Sequence, residues 1–289
     1  MKRETVLVTG VTGVVGSTVV NALFNKPVNI VVGARDLSKL SSEDWGDRVE
    51  KVTLDYENDA SIKQSLSGVD RIFLVTPPWY FHEDGLAKKI IEFGREQGLA
   101  QIIRLSAICA DEIAEFGHHQ EADELLLNAD IPSISVRPNT FMQNFLNFGL
   151  ISRESDYTLK LNAGSGRTSF IDVRDIATVV ASMLMTHDYD NASYILTGHE
   201  SLSFFDVAEK FSTALGQKVS YQPMSDDAWF DMALASGTPK VVAESFLAFN
   251  RGVSQGDYAN ISPTVEEILG RAPLSLDQYI KDYIDQFKS

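Results

Sequence analysis

The chain has 289 residues, 44% of them hydrophobic and 22% charged, which is ordinary for a folded protein with a sizeable core. Its 40 Asp and Glu against 25 Lys and Arg give a formal charge of -15, which repels phosphate backbones and anionic membranes and excludes nucleic acid and membrane as expected partners. The single cysteine, Cys109, excludes an internal disulfide and a cysteine-based zinc centre.

The opening MKRETVLVTG lacks the long apolar run of a secretory leader. No stretch approaches the roughly 20 apolar residues of a spanning helix, so a cytoplasmic protein is expected. Runs of β-forming residues recur at Thr5–Thr9, Asn29–Ala34, Val49–Leu54, Arg71–Thr76, Gln101–Ser106 and Ser133–Arg137. Several are nearly continuous apolar runs, the pattern of strands covered on both faces. The segments between read as helices. The clearest is Glu83–Gln97, with Leu86, Ile90, Ile91 and Phe93 at helical spacing and Gly98 at its end. Asp111–Asn128 carries Ile113, Leu125 and Leu126 around a polar middle. Six such units in series predict an α/β fold, a doubly wound parallel sheet.

The rhythm changes near residue 150. Tyr157–Gly166 reads as a strand and loop, Asp172–His187 as a helix and Tyr194–Thr197 as a short strand. Helices are expected over Phe204–Leu215, closed by Gly216, and over Pro239–Asn250. Leu276–Phe287 places Leu276, Tyr279, Ile280, Tyr283, Ile284 and Phe287 on one face, so that helix should dock. The expected organisation is a sheet domain over 1–150 and a smaller α+β lobe over 151–289. The two would be partly interleaved, with a substrate pocket at the sheet edge.

Three glycines, Gly10, Gly13 and Gly16, lie between the first strand and the helix after it. Glycine there allows a tight bend and close backbone approach, and the helix N-terminus offers N–H groups to a phosphate. The spacing is neither GxGxxG nor a P-loop. At the head of a βα series it marks a Rossmann-type dinucleotide site, with Gly10, Thr12, Gly13, Val14, Val15 and Gly16 as candidate cofactor contacts. The second strand ends in Ala34-Arg35 rather than an acid. Arg35 can pair with a 2′-phosphate, which favours NADP(H); the bland alternative is a surface arginine. Asp36 is expected to cap the next short helix. Asp55, in Leu54-Asp55-Tyr56, could frame the adenine. Thr76-Pro77-Pro78 ends strand four, where ligands bind in such folds, although a merely rigid loop explains it equally.

VTGVTGVVG, the Arg35 position, SVRPNTFMQN (135–144) and FIDVRDIA (170–177) together resemble the NmrA-like branch of the atypical short-chain dehydrogenase/reductase superfamily. The resemblance covers nearly the whole chain, and its layout is similar to the NADPH quinone oxidoreductase and triphenylmethane reductase type. It implies a Rossmann domain, a small C-terminal lobe and bound NADP(H). The superfamily's usual Tyr-x-x-x-Lys is missing, because none of the nine tyrosines has lysine four residues later. By alignment Glu124 stands where the branch often keeps a lysine.

Hydride transfer to a quinone-like or aromatic acceptor needs positioning rather than that pair, with protons from water or a nearby donor. Ser106, His119 and Asn139 are the catalytic candidates: Ser106 at the strand-five edge, His119 as a proton relay and Asn139 lining the pocket. The bland readings of Ser106 and His119 are a turn cap and a solvent-facing helix residue. Phe141 and Cys109 are expected in the core. Asp172 and Asp175 are expected to cap a helix rather than act as acid and base. No metal site is expected, since adjacent His118 and His119 should point apart on a helix. Three functions stay open: a reductase of a small-molecule substrate, an NADP(H) sensor with a protein partner, or an isomerase, dehydratase or cyclase. Such folds occur as monomers or homodimers.

Overall fold

The computed structural model describes residues 3–40, 45–77, 80–111, 113, 117–151 and 156–288. The chain divides into two compact units. The first comprises Met1–Asp111, Gly117–Arg137 and Ile176–Tyr194; the second comprises Glu112–Phe116, Pro138–Asp175 and Ile195–Ser289.

The first unit begins with β1 (Thr5–Val8), α1 (Val14–Leu23), β2 (Asn29–Ala34), β3 (Val49–Thr53), α2 (Asp59–Ser65) and β4 (Arg71–Leu74). It continues with α3 (Glu83–Gln97), β5 (Gln101–Leu105), α4 (Gly117–Leu127) and β6 (Ser133–Pro138). Later in the chain come α5 (Asn144–Asn147), β7 (Thr158–Leu161), β8 (Arg167–Thr168), α6 (Val173–Met183) and β9 (Ala192–Leu196). The sheet has seven strands in the order β3-β2-β1-β4-β5-β6-β9. Its first six are parallel, with registers such as Val6↔Ile30, Leu7↔Ile72 and Ile103↔Ile134. The β9 strand also runs parallel: Asn191 N–H donates to the Ser133 carbonyl and Asn139 N–H to the Leu196 carbonyl.

Central and edge strands differ as their sequences demand. Val6, Leu7 and Val8 of β1 are fully buried, whereas the edge strand β3 exposes Glu50 and Lys51. Strand order reverses between β1 and β4, so the crevice at their carboxyl ends is the expected ligand position. One face of the sheet packs Ile72, Leu74 and Ile102 against Leu86, Ala87 and Ile90 of α3 and Ala122 and Leu126 of α4. Side chains alternate along a strand, so Arg104 and Ser106 share that face with Ile102. The α3 helix has the predicted bounds, and Gly98 ends it with φ +77°. The described part of the segment expected as a helix over 111–128 is helical from Gly117.

In the second unit, β7 pairs in parallel with β11 (Ser220–Pro223), and β8 pairs antiparallel with β10 (Leu202–Ser203). The α7 helix (Phe204–Leu215) opens with a capping box: Ser203 accepts from Asp206 N–H, and the Asp206 carboxylate accepts from Ser203 N–H. Two helices follow, α8 (Asp226–Ala235) and α9 (Lys240–Gln255), and then α10 (Thr264–Leu269) and α11 (Leu276–Lys288). The apolar face of α11 docks as expected. Phe287 meets Phe211 edge-on at 4.8 Å, and Phe211 in turn meets Phe145. Among the described residues no helix is long and apolar enough to cross a membrane.

Candidate functional site

The glycine turn after β1 is sterically obligatory. Gly10 has φ +63°, and a Cβ there would lie 2.7 Å from Val75 Cβ. At Gly16 a Cβ would lie 2.5 Å from the Gly10 carbonyl oxygen and 2.7 Å from that of Thr9. One glycine therefore turns the chain and another lets α1 lie against β1. Gly13 begins the helix with no side-chain cap, and the first turn holds no acid. Backbone N–H groups and the positive dipole end are thus offered to an anion. Thr12, Gly13 and Val14 are exposed on this turn, while Val15 and Gly16 are buried and shape it from behind. A cradle that any Cβ would fill, at an uncapped N-terminus, fits a dinucleotide pyrophosphate.

Arg35 is exposed at the end of β2 and makes no ion pair among the described residues. It lines a cavity of about 320 Å³ with Thr53, Asp55, Asn58 and Ser61. Asp36 caps the short helix Leu37–Leu40 as expected, accepting from Ser38 N–H at 3.0 Å and Ser38 Oγ at 2.7 Å, and those bonds hold its carboxyl below the usual range. Asp55 accepts from Glu57 N–H at 3.1 Å. Thr9 Oγ1 accepts from Val75 N–H at 2.7 Å and knits β1 to β4. Tyr56 Oη donates to the Val75 carbonyl at 2.9 Å, and burial pushes its hydroxyl pKa well up. Thr76 and Pro77 follow β4; Pro78 lies outside the described residues.

Beyond them is a buried charge cluster that sequence reasoning missed. Arg104, 2% exposed, donates from Nη2 to Glu83 and from Nη1 to Asp123. Ser106 Oγ donates to Asp123 Oδ2 at 2.8 Å, and Arg137 Nε donates to the same oxygen at 2.9 Å. Thr76 Oγ1 donates to Glu83. Burial raises the Glu83 carboxyl, but hydrogen bonds from His119 and Thr76 and the Arg104 charge outweigh it and hold it below the ordinary carboxylate range. Among the described residues the cluster's ion pairs come from arginine and histidine alone.

His119 belongs to this cluster rather than to an open helix face. Its Nδ1 lies 2.6 Å from Glu83 Oε2 and 2.8 Å from Arg104 Nη2, and its side chain is 18% exposed. His118 and His119 do not point apart as expected: their ring centroids are 4.3 Å apart and tilted by 33°. With Glu83 they bring ligand-type atoms within 4.8 Å of one another. A cation there would face the Arg104 guanidinium already bonded to Glu83, so the arrangement reads as an ion-pair network holding a histidine. Glu124 is exposed and accepts from Gln120 Nε2; its neighbour Asp123 is the inward carboxylate.

Asn139, in the second unit, is saturated. Its Nδ2 donates to Ser169 Oγ at 2.9 Å and the Tyr258 carbonyl at 3.0 Å, and its Oδ1 accepts from Thr140 N–H at 2.7 Å and Thr168 Oγ1 at 3.0 Å. That bonding makes it a structural brace, which leaves Ser106 and His119 as the catalytic candidates the fold joins. Asp172 accepts from Arg174 N–H at 2.8 Å and caps α6, while Asp175 accepts from Leu274 N–H at 2.7 Å and lies 2.8 Å from Arg271 Nη2. Cys109 is buried, and Phe141 is half-buried in a bridge to Ile171.

The sequence pattern of the NmrA-like family matches residues 2–282. The chain belongs to the NmrA-like family. Relatives of this NmrA-like chain include the NAD(P)H azoreductase of Xenophilus azovorans, 27% identical over 98% of this chain and 99% of the relative. The Citrobacter sp. triphenylmethane reductase, solved with NADP(H), is 25% identical with a TM-score of 0.84, over 96% of this chain and 99% of that one. The Escherichia coli NADPH-dependent quinone oxidoreductase, solved with NADPH, shares the fold at 20% identity and a TM-score of 0.86, over 96% and 99%.

Proposed function

We propose that this NmrA-like protein is an NADP(H)-dependent reductase passing a hydride to a quinone-like or other aromatic small-molecule acceptor. The carrying observation is the uncapped start of α1 behind glycines whose Cβ positions are filled. Gly10 to Gly16 would hold the pyrophosphate, and Arg35 would pair with the 2′-phosphate, beside Asp55 in the same cavity. Thr76 and Pro77 would line the nicotinamide side of the sheet edge. The bound cofactor supplies the hydride.

The chain's own residues supply position and protons. Ser106 and His119 stand at the ends of β5 and α4, held by Asp123 and Glu83. Tyr56 is bound to a carbonyl, with its hydroxyl pKa raised by burial, and does not replace the missing tyrosine–lysine pair. The names of the azoreductase, triphenylmethane reductase and quinone oxidoreductase relatives support a conjugated acceptor.

Fluorescence titration with NADPH and NADH, followed by a quinone and dye panel, tests this reading. NADPH should bind more tightly than NADH, and acceptors should accelerate loss of its absorbance. Arg35→Ala should weaken NADPH about tenfold while leaving NADH nearly unchanged, the worth of one charged hydrogen bond. Binding without turnover on any acceptor would favour the sensor or the isomerase. No binding of either nucleotide would sink the cofactor assignment.

A further inference from the structure

We propose that His119 is the proton donor of this reductase, positioned by Glu83 and Arg104, which offer its Nδ1 two fixed partners of opposite polarity. The proposal rests on the reductase reading above and narrows the acceptor to one whose hydride adduct is an anion that needs a proton, as with a quinone.

The argument begins with hydrogen-bond capacity. Arg104 only donates, and an ionised Glu83 only accepts. Nδ1 of His119 is within reach of both, 2.8 Å from Arg104 Nη2 and 2.6 Å from Glu83 Oε2. With a proton on Nδ1 the ring donates to Glu83; with a lone pair there it accepts from Arg104. Each neutral tautomer keeps a bond at Nδ1, and neither leaves a buried polar group unmatched. A histidine facing a carboxylate alone lacks this second state.

The surrounding charges fit that role. Glu83 comes from α3, Arg104 from β5, Asp123 from α4 and Arg137 from β6, with Asp111 on the outer side of Arg137. The two buried carboxylates are each matched by an arginine. His118 lies alongside, edge-on to Phe81 at 5.1 Å between centroids. The partly exposed ring can exchange protons with solvent.

Hydride transfer to a quinone reduces it to a hydroquinone monoanion while the nicotinamide is oxidised. An O–H bond then forms as the N–H bond at Nε2 of the imidazolium breaks. The neutral ring keeps its Nδ1 bond, and solvent restores the proton. A triarylmethyl cation takes the same hydride at carbon and becomes neutral with no proton added. The two acceptors therefore separate hydride transfer from proton supply.

Nitrogen-15 NMR of the cofactor-free protein reads the switch directly. The His119 nitrogens should average between two tautomers, and Glu83→Gln should shift them towards the Nε2–H form. Ring nitrogens that ignore Glu83→Gln would overturn the positioning by Glu83 without any turnover measurement. In kinetics, His119→Gln should lower kcat for a benzoquinone about 100-fold more than kcat for a cationic triarylmethane dye. The quinone-to-dye rate ratio should therefore be far lower in His119→Gln than in the wild type. Equal losses on both acceptors would overturn the donor role alone. No NADPH oxidation by the wild type with any acceptor would overturn the reductase reading and the donor role with it.

Discussion

Neighbouring strands β4 and β5 each carry one buried arginine, at opposite ends of the sheet. Arg71 opens β4 and Arg104 nears the end of β5, 4% and 2% exposed. Each meets a carboxylate and a histidine. At the amino end, Arg71 donates from Nε to Glu4 at 2.8 Å and from Nη1 to Gln101 Oε1 at 2.8 Å, and its Nη2 lies 3.2 Å from His187 Nε2. His187 Nδ1 faces Asp190. Since arginine only donates, Nε2 accepts and Nδ1 donates, so one tautomer satisfies every contact. At the carboxyl end no single tautomer satisfies both neighbours of His119 Nδ1. Both arginines are buried and ion-paired; the allocation of protons separates a structural staple from the proposed proton donor.

The largest expected effect breaks the two arginines apart. Arg104→Met leaves Glu83 and Asp123 buried, Asp123 keeping Arg137 and Glu83 keeping, among the described residues, His119 and Thr76. Removing one partner of a buried pair costs about 3–5 kcal/mol. Arg71→Met should cost less, about 1–3 kcal/mol, because Glu4 is 48% exposed and regains water. Urea unfolding at neutral pH measures both, and equal losses would erase the energetic distinction between the ends.

The next effect is on acid stability. The folded Glu83 carboxyl is held below its ordinary range. A depressed carboxyl stabilises the fold above its unfolded value, about 4.3, and that stability is lost as pH falls through the folded value. Thermal unfolding from pH 6 to pH 3 should show Glu83→Gln less stable than wild type at the upper end, with a shallower fall towards acid. Parallel curves would mean that Glu83 is not ionised in the folded cluster.

Much of this fold can be read in the chain because its strands are covered on both faces, which makes NIVVGA and RIFLVT continuous and unmistakable. The glycine turn is equally local: each steric demand falls on the residue that meets it. The charge cluster is not local. Glu83 reads as an ordinary first-turn acid on a helix, and Asp123 is hidden beside Glu124, which alignment selects and the fold turns outward. One signal was present. Arg104 in QIIRLS is a cation on the inner face of an apolar strand, two residues before Ser106, and such a cation requires buried carboxylates. The pairing of β7 with β11 joins distant segments, and α8 carries only a weak apolar stripe behind its Ser225 cap. Nor does the rhythm show that 176–194 rejoins the first unit.

The smallest effect sharpens the comparison most. The His187 side chain is 50% exposed, and its bond to Arg71 supplements two bonds from Arg71 to Glu4. His187→Ala should therefore cost about 0.5–1.5 kcal/mol, the net worth of a hydrogen bond. The quinone-to-dye rate ratio should stay at its wild-type value, because among the described residues the His187 ring is bonded to Arg71 and Asp190 of the amino-end staple. A change in that ratio from His187→Ala, comparable to the change from His119→Gln, would mean that proton allocation at the two ends is coupled along β4 and β5. The staple would then be part of the mechanism it was used to set apart.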